Sequence, residues 1–131
     1  MSIRLRQITI ALVLLLSLLA ACQPKGPKIE ISPAERDLGQ VQQKPLETTY
    51  TVRNGGVQPL EIARVYTNCD CTTASVDSKA LAPGEETTLR VAMDPALLDL
   101  YGNIRREIIL ETNDPRTPVA RAVLKVTIQK P

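Results

Sequence analysis

An all-β fold, an immunoglobulin-like antiparallel β-sandwich of about seven strands, is predicted for the chain from Lys28 onward. Three observations carry this. Apolar and polar residues alternate in short runs, turn residues interrupt the runs about every 8–12 positions, and no apolar stripe of helical period competes with them. With no Trp, no Phe and 3 Tyr in the chain, the core must be built from Ile, Leu and Val.

The segments follow in order. Lys28 to Ser32 alternates with Ile29 and Ile31 on one face. After Pro33, Asp37-Leu38-Gly39-Gln40-Val41 reads as a short edge strand. Thr48 to Arg53 is rich in Thr, Tyr and Val, and Asn54-Gly55-Gly56 is a strong turn signal. Leu60 to Thr67 turns Leu60 and Ile62 inward, and a change of parity at Val65 predicts a bulge. Thr72 to Val76 is a short strand, and Ala82-Pro83-Gly84-Glu85 is a turn. Thr87 to Met93 places Leu89, Val91 and Met93 on one face.

Asp94-Pro95 reads as an N-cap followed by proline at the first helical position, with Gly102 as the stop, so a single helical turn is expected over Ala96 to Tyr101. Its Leu97, Leu98, Leu100 and Tyr101 are expected to plug one end of the core; the alternative is an exposed contact patch. Arg105 to Thr112 sets Ile108 and Leu110 against Ile109 on the other face. Asn113-Asp114-Pro115 turns the chain, and Val119 to Gln129 returns with Ala122, Leu124, Val126 and Ile128 inward.

The first 21 residues read as a secretory signal. Arg4 and Arg6 form a basic start, and Ile8 to Leu19 form an apolar run short of the roughly 20 residues that span a bilayer. It ends in Leu19-Ala20-Ala21-Cys22, which resembles a bacterial lipobox, so Cys22 is expected to become the lipidated first residue, bearing diacylglycerol and an N-acyl chain of the palmitate class. Two or more acyl chains hold a protein stably on a membrane. Gln23 follows where Asp would resemble an inner-membrane retention signal, which favours an outer membrane, facing the periplasm, in a cell with two. The expected layout is signal peptide 1–21, lipidated cysteine and tether 22–27, and β-sandwich 28–131.

Loss of the leader removes two of 16 basic residues and leaves 14 against 14 acidic ones. A neutral domain with so few aromatics has neither the basic groove nor the stacking platform that nucleic acid requires. The absence of His from the sequence removes the commonest general base and metal ligand, so an enzyme is not expected.

The order Asp37-Leu38-Gly39, Asn54-x-Gly56, Leu60-x-Ile62, Asn68-Cys69-x-Cys71-Thr72, Pro83-Gly84-Glu85, Gly102, Thr112-Asn113-Asp114-Pro115 resembles the bacterial domain-of-unknown-function family DUF1573, which is related to the immunoglobulin-like ASH and Hydin-type modules. The resemblance runs from about Glu35 to Ile128 and implies a fold and an envelope location, with no established reaction. Leu38 stands where the family usually has Phe, and Asp70 stands between cysteines that usually flank Gly. A glycine there implies positive φ, which Asp tolerates better than most residues, so a left-handed Asp70 is expected.

Cys69 and Cys71 are the two cysteines of the predicted domain, and three uses are open to them. In an extended chain their Cα atoms would stand roughly 6.5 Å apart, near the upper limit for a disulfide, and a turn at Asp70 would bring them closer. The first use is a local disulfide or buried pair that fixes the turn. The second is a Cu(I) site formed by two thiolates, with Met93 as the remaining soft ligand. The third is thiol–disulfide exchange, which the Asp70 charge disfavours by opposing thiolate formation. Thr48, Thr51, Thr67, Arg105-Arg106 and Glu85-Glu86 read as ordinary solvated positions. The expected function is that of a lipid-anchored envelope binding or structural module with no cofactor and an unidentified protein partner; copper or thiol-redox handling is the alternative.

Overall fold

The computed structural model describes residues 2–19 and 25–130. Helix α1 spans Ser2–Leu19, a leucine-rich run free of Gly and Pro. Among the described residues no helix is long and apolar enough to cross a membrane.

Among the described residues nine strands follow: β1 (Ile29–Ser32), β2 (Glu35–Gln42), β3 (Leu46–Asn54), β4 (Leu60–Thr67), β5 (Thr72–Val76), β6 (Ala80–Leu81), β7 (Glu86–Met93), β8 (Gly102–Thr112) and β9 (Val119–Gln129). They form a four-stranded sheet in the order β1-β3-β7-β5 and a five-stranded sheet in the order β2-β9-β8-β4-β6. The predicted sandwich is therefore the observed one. Its two inner faces supply a common core that includes Val52, Leu60, Leu89, Ile108, Leu110, Ala122 and Leu124, each 0% exposed. Tyr50 ties the layers together, donating its hydroxyl to the Val123 carbonyl at 2.8 Å beneath the Arg36 guanidinium. Burial pushes that phenol up to about 12. The bulge foreseen in β4 lies between Ile62 and Arg64.

Three details depart from expectation. β2 runs parallel to β9, although an antiparallel sandwich is predicted. The cause is the crossing at Ser32-Pro33-Ala34, where the chain changes sheets without reversing and so meets β9 running the same way. Gly39, at φ 66, occupies the register shift in that ladder and donates its N–H to Asp37. The two-residue β6 is too short to show a period.

The third departure is the helical turn, which is a 3-10 helix over Pro95–Leu98. Asp94 caps its start as predicted, but Asp99 at φ 50 ends it, not Gly102, which opens β8 at φ 78. Asp is among the few non-glycine residues that take this conformation cheaply, and Gln43 Nε2 donates to its carboxylate at 3.1 Å. Leu97 and Leu98 are 67% and 54% exposed, so they plug nothing; Leu100 and Tyr101 pack against the core instead.

The hairpin connections divide the loops between two poles. Lys28, the Asn54–Leu60 loop, the Leu81–Glu86 turn and the Thr112–Val119 turn share one pole. The Gln42–Leu46, Thr67–Thr72 and Met93–Gly102 loops share the other. β3, nine residues long, runs roughly 30 Å between them.

Candidate functional site

The second pole carries the cysteines. β4 ends at Thr67 and β5 begins at Thr72, and the backbone reverses between them by a bond from Thr72 N–H to the Cys69 carbonyl at 3.1 Å. This makes Asp70 and Cys71 the two central residues of a tight turn. Neither has positive φ, since Asp99 is the one non-glycine residue among those described that does. The left-handed Asp70 expected from the family pattern is thus not found, because a turn of this kind closes with both central residues at negative φ.

The turn draws the Cα atoms of Cys69 and Cys71 to 5.3 Å, and their sulfurs are joined as a disulfide. Thr67 holds the loop, its hydroxyl lying 2.9 Å from the Cys69 carbonyl and 2.6 Å from that of Thr72. Asn68 Oδ1 accepts the Glu107 N–H, and the Cys71 carbonyl accepts the Asp94 N–H at 2.9 Å, so both sheets grip the turn. Cys71 is 3% exposed and Cys69 is half-buried. A sulfur in a disulfide carries no proton, so the contact of 3.4 Å between Thr72 Oγ1 and Cys71 Sγ is a bond donated by the hydroxyl. Cys71 N–H in turn donates to Cys69 Sγ at 3.3 Å.

Met93, the third soft ligand considered for copper, is 1% exposed in the core. A Cu(I) site needs both thiolates, so only the reduced pair could form one. Among the described residues no group of three or more His, Cys, Asp and Glu side chains stands together. Cys22 lies outside the described residues.

The remaining residues singled out from sequence sit at the first pole, where they act together. Asn54 is fully buried: its amide nitrogen donates to the carbonyls of Gln58 (2.7 Å) and Leu81 (3.0 Å), and its oxygen accepts the N–H groups of Gly56 and Lys28. Gly56 is needed for space, because a Cβ there would strike the Gly26 carbonyl and the Lys28 nitrogen. Pro83-Gly84 closes the turn into β7, with Gly84 at φ 82 donating to the Asn54 carbonyl. Asn113 bridges to Glu61 N–H and the Pro59 carbonyl, and Asp114 precedes Pro115 with its carboxylate buried. Contacts of the domain extend back to Gly26, whose carbonyl accepts the Val57 N–H and which lies beside Pro115.

Sequence reasoning passed over Thr67 and Thr72 as partners of the cysteine turn. A hydroxyl at each strand end flanking the cysteines was the available signal. It also read Arg106 as solvated, whereas its Nε is buried in β8 without a hydrogen-bond partner.

No curated protein matches the chain. Among solved structures, a protein of unknown function from Porphyromonas gingivalis W83 is 30% identical with a TM-score of 0.72. The match covers 79% of this chain and 47% of that one, so this chain spans about half the length of that relative. The ASH/PapD-like domain 7 of human CEP192 matches at 14% identity and TM-score 0.59, over 83% of this chain and 90% of that one. The periplasmic chaperone SfaE matches at 11% identity and TM-score 0.58, over 79% and 59%. At those identities the last two show the fold alone. The family described as Protein of unknown function (DUF1573) matches residues 29–128, and the chain belongs to it.

Proposed function

We propose that this chain is a lipid-anchored module of the bacterial envelope that acts by binding a protein partner, with neither nucleic acid nor a resident cofactor involved. Cys22 is the anchor, held in the outer membrane and facing the periplasm in a cell with two membranes. The observation that carries the anchor is the Leu-Ala-Ala-Cys junction closing a short apolar run behind two arginines. The fold supports the binding role through β5, an edge strand. Bonds from Asp94 N to Cys71 O and from Asp77 N to Thr88 O fix the ladder so that odd-numbered residues of β5 face β7. The main-chain groups of Ala74 and Val76 therefore point outward, where a partner strand can add.

Expression of the full chain in a bacterium, followed by membrane fractionation and intact mass, tests the anchor. A mature protein starting at Cys22 with acyl mass is expected, and Cys22→Ser should leave an unlipidated or unprocessed chain. Unchanged mass and membrane fraction in Cys22→Ser would overturn the reading.

A further inference from the structure

The cystine is hard to explain as a staple. It closes a ring over one intervening residue, and a ring so small restricts the unfolded chain far less than a long loop does. Thr67, Asn68 and the Asp94 N–H already hold the turn without it. Its two sulfurs are also placed unequally. Cys71 is shielded, while Cys69 lines a shallow, open depression of about 380 Å³ together with Asp70, Val65, Tyr66, Thr67, Thr72 and Ala74. The depression lies between the end of β4 and the start of β5, beside the outward-pointing main-chain groups of Ala74.

We propose that this cystine is a thiol–disulfide exchange site whose co-reactant is the cysteine thiol of an extended polypeptide lying in that depression, with Cys69 as the attacked sulfur and Cys71 as the leaving one. The incoming thiolate bonds to Cys69 Sγ, the Cys69–Cys71 bond breaks, and its electron pair departs on Cys71 Sγ, which then takes a proton. A second thiol of the partner, as thiolate, attacks the partner's own sulfur in the mixed disulfide and releases Cys69. In total two electrons and two protons pass from the partner's two thiols to the cystine, which becomes a dithiol, and the partner gains a disulfide. The reverse sequence oxidises this protein.

Access decides which sulfur is attacked, because substitution at sulfur requires approach along the S–S axis from the side away from the leaving group. A thiolate at buried Cys71 is penalised by desolvation, and the Thr72 hydroxyl at 3.4 Å is the donor placed to offset that. Asp70, whose charge opposes thiolate formation, is exposed, so water and salt screen its field. The anchor at Cys22 plays no part in this chemistry, so it can fail while the anchor stands.

Oxidised full-length protein in detergent micelles is exposed to millimolar glutathione, itself a cysteine tripeptide, then acid-quenched, alkylated and mapped by tandem mass spectrometry. The expected product carries glutathione on Cys69 and the alkyl group on Cys71. Thr72→Val should form it about five-fold more slowly, the worth of one hydrogen bond to the leaving sulfur, while Thr72→Ser keeps the wild-type rate. If Thr72→Val does not fold, the Thr72→Ser rate and the mapped sulfur in wild type still decide. A cystine that resists glutathione until the protein is denatured, glutathione found on Cys71, or equal rates in folded Thr72→Val and wild type would overturn the assignment.

Discussion

Ile29 donates its backbone N–H to Oδ2 of Asp114 at 2.9 Å, across 85 positions of sequence. The carboxylate's other oxygen accepts the N–H groups of Arg116 and Thr117, so one side chain fastens the first strand to the β8–β9 turn. Burial pushes this carboxyl up, and the three N–H donors outweigh that and hold it below the usual aspartate range. A depressed folded-state value means stability that is full above about pH 4, the unfolded value, and is lost as pH falls through the folded one. Asp114→Ala should cost about 2–4 kcal/mol at neutral pH and flatten that acid limb. Urea melts of both proteins between neutral and strongly acidic pH check it; parallel acid limbs would assign the loss to other carboxylates.

Asn54 faces two carbonyls and two N–H groups at once, which an amide satisfies and a carboxylate does not. Asn54→Asp should lower stability by about 2–4 kcal/mol, more at pH 8 than at pH 4.5, because the protonated acid regains one donor. Thermal melts at the two pH values that lose equal stability would contradict the donor argument.

Two glycines separate space from conformation. Gly39 has positive φ and open surroundings, so Gly39→Ala should cost about 1–2 kcal/mol and Gly39→Asn less, since Asn tolerates that region. Gly56 needs room: its Cβ would lie 2.6 Å from the Lys28 nitrogen, and Ala and Asn should both cost about 1–3 kcal/mol there. Chemical melts of the four variants decide, and rescue of position 56 by Asn would sink the steric account.

Asp70 is exposed and free of positive φ. Asp70→Val should therefore change stability by no more than about 0.5 kcal/mol. A fall in melting midpoint as large as that of Gly56→Ala would restore the left-handed turn that the family's glycine suggests.

Strand faces were legible because period two leaves one reading when one side is buried: Leu89-Val91-Met93 and Ala122-Leu124-Val126-Ile128 all face the core as their parity requires. The bulge near Val65 was legible for the same reason. Asn54 and Asp114 were legible as turn residues and not as buried anchors, since their partners lie up to 85 positions away and leave no local pattern. Asp70 misled because a glycine common in relatives is not by itself a backbone requirement: the Thr72 N–H bond to the Cys69 carbonyl and the Thr67 hydroxyl close the turn with Asp70 at negative φ. The parallel β2 was hidden because alternation reveals faces and says nothing of direction.

That parallel pairing sets how the domain bears force. β2 comes early in the domain and β9 ends it, and they pair from Glu35–Val123 to Gln42–Gln129 with one register shift at Gly39. Pulled apart by its two ends, the domain loads first the β1–β3 ladder and then this one along the strands, so the hydrogen bonds of each resist together and do not open singly as a hairpin unzips. A domain tugged between a fixed N-terminal end and a partner at the far one would grip hardest along its own long axis.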